Sequence, residues 1–134
     1  MIEVGILLKS EEMIEFLERY DLSVTYHFDR LNEGQSDSYT VESEEPPLAL
    51  KFDTDQRCTT IFIRNPAAVI GKGFVSFPDL RSPREIEKHA KVNGLVLRRG
   101  PSWLRCDGPV RCHHYEFTGE KLTMVTIMSR EVAP

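Results

Sequence analysis

The chain has 134 residues, 40% apolar and 28% charged, with 8 Gly and 8 Pro, which is the make-up of one ordinary globular domain and excludes a disordered or collagen-like chain. No apolar run nears the roughly 20 residues of a membrane span. The opening MIEVGILLKSEEM has no basic n-region, and Cys58, Cys106 and Cys112 follow no framework spacing, so a cytoplasmic protein with reduced thiols is expected. The net charge of −4 hides a split: residues 1–55 carry 14 acidic against 4 basic side chains, a net of −10, whereas 56–134 carry 13 basic against 7 acidic, a net of +6. Such a division suits a partner met through electrostatic complementarity, because summed charge steers encounter and orientation, and equally suits two halves that pair with each other or two solvated faces.

Residues 2–8, IEVGILL, read as a short buried strand or a lead-in to the helix that follows. Ser10 is placed to cap SEEMIEFLERY, with Glu11 and Glu12 in the first turn and Met13, Leu17 and Tyr20 at helical spacing. From Val24 the period becomes two, and Val24, Tyr26 and Phe28 predict a half-buried strand. NEGQSDS (32–38) is turn chemistry, and Tyr39 and Val41 continue on a second strand until SEEPP (43–47) breaks it. Leu48, Leu50 and Phe52, the turn DTDQ (53–56) and the β-branched run CTTIFI (58–63) predict an antiparallel hairpin. Residues 65–81 read as irregular, with a short strand at Phe74, Val75 and Phe77. In SPREIEKHAKVNG, Ser82 caps, Pro83 takes the first helical position, Glu85 completes a capping box and Gly94 supplies the stop. A basic loop precedes a strand from Trp103, and DGP (107–109) and TGEK (118–121) turn two more strands, RCHHYEF and LTMVTIM.

FDTDQRCTTIFI and FTGEKLTMVTI share one layout, an aromatic end, a polar turn and a β-branched strand, each after a Ser-capped helix. The expected fold is therefore α+β: a single domain over 1–134 made of two helix-then-antiparallel-strands repeats, 1–65 and 74–130, with both helices packed on one face of a shared antiparallel sheet.

Catalytic and ligand signatures are sparse. Cys106, Cys112, His113 and His114 do not have paired zinc spacing, and adjacent histidines on a strand point to opposite faces. DTD (53–55) lacks the remaining ligands of a calcium loop, and AAVIGKG lacks the first glycine and the hydroxyl of a phosphate loop. No Gly-x-Ser-x-Gly elbow is present, and nothing in the sequence positions a base on a cysteine. RRGPSWLR (98–105) mixes arginines with an aromatic, but the acidic chain, of pI about 5.6, argues against nucleic acid. No metal, no cofactor and no enzymatic activity are expected.

The run PLALKFDTDQRCTTIFI, the helix entry FVSFPDLRSPREIEKHAKVNG, Pro101, Trp103 and the closing HHYEFTGEKLTMVTIM resemble a group of small bacterial immunity proteins encoded beside polymorphic and type VI-secreted toxins. The helix-then-strands layout is also similar to β-lactamase inhibitory protein and BamE-like domains, a likeness of fold that does not fix function. The resemblance implies a cytosolic protein that binds a cognate toxin as a heterodimer and occludes its active site, without nucleic acid or membrane; a homo-oligomer stays open. The contact surface is expected at Asp29, Glu33, Asp37, Tyr39, Glu42, Glu44 and Glu45, an acidic patch suited to a basic cleft. Its alternative is the basic loop with Arg98, Trp103 and Arg105, suited to an acidic partner. Two other functions remain: an adaptor domain of the same fold, and a Cys/His enzyme.

Overall fold

Two serine caps start the two α-helices. Ser10 is extended (φ −67°, ψ 154°) and its Oγ accepts the Met13 N–H at 3.3 Å, opening α1 (Glu11–Arg19). Ser82 does the same for α2 (Pro83–Val92): its Oγ accepts the Glu85 N–H at 3.2 Å and its hydroxyl donates to the Glu85 carboxylate at 3.1 Å. Gly94, at φ +65°, ends α2 in the left-handed conformation that a side chain would disfavour. Each helix buries a narrow stripe, Met13 and Phe16 from α1 and Ile86 and Ala90 from α2.

The computed structural model describes residues 1–133. Eight strands form one antiparallel sheet: β1 (Val24–His27), β2 (Ser38–Ser43), β3 (Leu48–Phe52), β4 (Cys58–Ile63), β5 (Val96–Arg99), β6 (Trp103–Asp107), β7 (Arg111–Thr118) and β8 (Lys121–Ser129). Their order is β1-β2-β3-β4-β8-β7-β6-β5, so β1 and β5 are the two edges. One row of aligned residues runs Val24, Val41, Leu50, Ile61, Ile127, His113, Cys106, Leu97. This row faces the helices: Val41, Leu50, Ile61, Ile127 and Cys106 join Met13, Phe16, Ile86 and Ala90 in one buried core. Each fully buried Leu, Ile or Phe there contributes roughly 1.5–3 kcal/mol through removal from water. The alternate row runs Glu42, Ala49, Phe62, Thr126, His114, Arg105, Arg98 and lies on the opposite face, which contributes no residue to that core.

The expected α+β fold of two helix-then-strands repeats is overturned. The molecule is β-rich, one large eight-stranded sheet with helices of only 9 and 10 residues. The β4–β8 pairing, Thr60–Ile63 against Val125–Met128, makes the sheet continuous across the boundary that the two similar hairpins suggested. Two local expectations also change. Of the two readings of residues 2–8, the strand is not formed and a lead-in to α1 is: Gly5 at φ +98° interrupts the extended run, leaving isolated bridges from Ile2 to Val75 and from Leu7 to Arg57. The basic loop is largely β5, which pairs with β6 through a turn at 100–102. A glycine is required at that turn, because a Cβ on Gly100 would lie 2.0 Å from the Trp103 indole nitrogen.

Candidate functional site

The alternation that places Val24, Tyr26 and Phe28 on one side of the chain is the pattern of a half-buried strand, but at β1 no described residue covers that side. Tyr26 is 49% and Phe28 50% exposed. Their rings nevertheless stack: Tyr26 lies 5.1 Å from its cross-strand partner Tyr39 and 5.6 Å from Phe28, centroid to centroid. The Arg30 guanidinium sits 5.1 Å from the Phe28 centroid. The result is a three-ring ladder at a free sheet edge, in which Tyr26 and Phe28 are exposed and Tyr39, on β2, is partly buried against the core.

The loop from β1 to β2 rims this ladder with acid. Asp29 organises it, its carboxylate accepting the backbone N–H groups of Glu33, Gly34 and Gln35 at 2.8–3.1 Å. These bonds, that from Glu33 foremost, hold the Asp29 carboxyl below its ordinary pKa. Asp37 accepts the Tyr26 hydroxyl at 2.7 Å, which fixes the ring's outer end and raises the phenol's pKa. Glu33 stays exposed at the loop tip. Of the acidic residues expected at a contact surface, Asp29, Glu33 and Asp37 thus gather beside Tyr39. Glu42, Glu44 and Glu45 are also exposed, but Glu42 faces the other side of β2 and Glu44 and Glu45 lie in the turn after it, which puts the three roughly 10–20 Å from Tyr39 at the usual rise per residue. Tyr26 and Phe28 belong to the site and carried no distinguishing sequence signal, since a buried strand alternates identically.

Arg98, Trp103 and Arg105 stand at the other end of the sheet, on the face without helices. Arg105 is not on an exposed loop: it is 9% exposed, inside β6, with its Nε donating to Asp107 Oδ1 at 2.6 Å. Arg98 Nε and Arg130 Nη1 approach Asp107 Oδ2 at 3.3 and 3.6 Å. Burial pushes the Asp107 carboxyl up, but the bond from Arg105 and the charges of Arg105 and Arg98 outweigh it, so its pKa falls below the ordinary value. Trp103 lies tilted against His114, 5.3 Å between centroids, along the same face.

The cysteines and histidines sit in different surroundings. Cys106 pairs across the strands with His113 on the core face. Burial pushes the Cys106 thiol up to about 11 and the His113 imidazole down to about 4, so at neutral pH the thiol keeps its proton and the ring is uncharged. Cys58 is likewise pushed up to about 12 by burial. No group of three or more His, Cys, Asp and Glu side chains converges among the described residues in a way that could hold a metal ion. No helix among them is long and apolar enough to cross a membrane.

Compared with family models, with curated proteins and with solved structures, the chain matches none.

Proposed function

We propose that this chain is a protein-binding inhibitor of the immunity type, which neutralises a toxic effector by covering its active site. The observation that carries the reading is the stacked ladder Tyr26–Phe28–Tyr39 at an unpaired sheet edge, with Tyr26 and Phe28 exposed, Tyr39 behind them partly buried, and the acidic loop of Glu33 and Asp37 beside them. Contiguous exposed aromatics are costly to leave in water, and Tyr and Trp anchors dominate the energetics of protein interfaces. The Tyr26–Asp37 bond and the Asp29-capped loop hold the surface in shape before contact, which lowers the entropy lost on association. Its acidic rim suits a basic surface, such as a cleft built for a phosphate-rich substrate, and would speed encounter at low salt. The resemblance to immunity proteins supplies the partner class; the residues supply the surface.

The test is co-expression with the protein encoded beside this chain in its genome. A toxic neighbour, growth restored by the wild-type chain and a one-to-one complex are expected. Replacing Tyr26 and Phe28 together by Ala should abolish the rescue while the fold, checked by circular dichroism, persists. Rescue that survives this double replacement would overturn the assignment of the surface. A harmless neighbour that forms no complex would overturn the function, leaving an adaptor role.

A further inference from the structure

The sheet face opposite the helices ends in three guanidinium groups around a single carboxylate. Asp107 is the buried centre, its side chain 2% exposed; Arg105 beside it is 11% exposed, while Arg98 and Arg130 are 54% and 50% exposed. Asp107 Oδ1 is taken by Arg105 Nε at 2.6 Å. Oδ2 makes no hydrogen bond among the described residues, although Arg98 and Arg130 stand 3.3 and 3.6 Å from it. Its hold on those two side chains is therefore charge attraction without directed bonding. Each guanidinium carries five N–H donors. Among the described residues Arg98 donates no side-chain hydrogen bond, and Arg130 donates only a weak one to the Cys112 sulfur at 3.7 Å. The cluster thus combines an excess of two positive charges with donors already gathered around a fixed centre.

We infer that Arg98 and Arg130, drawn together by buried Asp107, form a clamp for one carboxylate, an Asp or Glu side chain of a protein partner. Two adjacent guanidiniums match an oxyanion, and charge-assisted bonds of this kind are the strong ones. Trp103, tilted against His114, lies next along the same face and offers an apolar wall for the stem of such a side chain. A polyanion fits less well. Glu116, the cross-strand partner of Trp103, lies on this face, and Glu42 ends the aligned row that Arg98 begins. A nucleic acid strand would carry its next phosphates onto Glu116, whereas a single carboxylate would not. The source of the carboxylate rests on the reading of the chain as a protein-binding inhibitor; the clamp itself does not.

Arginine side-chain ¹H–¹⁵N NMR on the full chain tests it, with sodium acetate as probe against sodium chloride at matched ionic strength and against inorganic phosphate. Acetate should move the Arg98 and Arg130 signals saturably and chloride should not, with Arg105 Nε, pinned on Asp107, staying still. Arg98→Gln and Arg130→Gln should each weaken acetate binding about tenfold. Arg98→Lys, which keeps the charge and loses the fork, should also weaken it, whereas a diffuse positive surface would not notice the change. Linear shifts that are the same in acetate and chloride would overturn the clamp. Phosphate binding more than about tenfold tighter than acetate would overturn the carboxylate in favour of a phosphate ligand. No partner enters this titration, so its failure leaves the β1 surface standing, and a failed growth rescue leaves the clamp standing.

Discussion

Replacing Asp107 by Asn tests whether this carboxylate holds the basic end of the sheet together. The substitution keeps the shape and removes the charge. Arg98 and Arg130 are about half exposed and would be rehydrated at little cost, since exposed ion pairs contribute roughly 0–1 kcal/mol. Arg105 is different. Its side chain is 11% exposed, and Asp107 is the only carboxylate it reaches among the described residues. Breaking a buried pair by removing one partner leaves an uncompensated charge and costs about 3–5 kcal/mol. For a domain of this size that corresponds to a fall in Tm of roughly 10–18 °C. Urea denaturation and calorimetry of Asp107→Asn would read the loss directly. The companion double variant, Arg105→Met with Asp107→Leu, should recover most of it, because an apolar pair of similar volume carries no desolvation penalty. A loss below about 1 kcal/mol in Asp107→Asn would refute the reasoning, as it would mean that water already solvates Arg105.

Three further outcomes follow from the same geometry. His113 has its pKa lowered from 6.5 to about 4, first by burial and then by the charges of Arg111 and His89, so the unfolded chain binds the proton more readily. Its contribution is complete above pH 6.5 and drains away as the pH falls towards 4; His113→Leu should lose about 2–3 kcal/mol less than wild type between pH 7 and pH 4.5, by urea titration at both. Gly100→Ala should displace the Trp103 indole from its place over the turn, seen as a shift in tryptophan fluorescence, and destabilise by about 1–3 kcal/mol through overpacking. Asp29→Ala removes the acceptor of three loop N–H groups; hydrogen exchange at Glu33, Gly34 and Gln35 should accelerate, with global stability changed by less than about 1 kcal/mol because the loop is exposed.

Local features of the fold were legible where local chemistry decides them. Ser10 and Ser82 announce their helices because an N-cap needs a side-chain oxygen at that one position, and the 48–63 and 111–128 hairpins announce themselves through alternation broken by polar turns. The arrangement of those pieces was not legible. The β4–β8 pairing joins residues more than sixty positions apart and leaves no short-range trace, so two similar hairpins suggest helix-then-strands repeats sharing a sheet, where the molecule is one β-rich sheet with two short helices. Strand β5 was hidden because Arg98 and Arg99 read as loop chemistry; in the fold their charges are met by Asp107 and Glu87. At the candidate site, Tyr39 and the acidic loop were accessible to sequence reasoning through charge. Exposure of Tyr26 and Phe28 depends on where the helices stop covering the sheet, and the Asp107 cluster draws its members from β5, β6 and the end of β8.

The aromatic edge at β1 is the surface through which a partner would be held. Isothermal titration of the neighbour-encoded protein into the wild-type chain and into the Tyr26→Ala, Phe28→Ala variant, at 50 and 300 mM salt, measures it. The expected result is a one-to-one complex that weakens with salt and loses at least about 30-fold in affinity when the two rings are removed, in line with about 2 kcal/mol or more for a hot spot. Equal affinity of the two proteins, in a variant that remains folded, would contradict it.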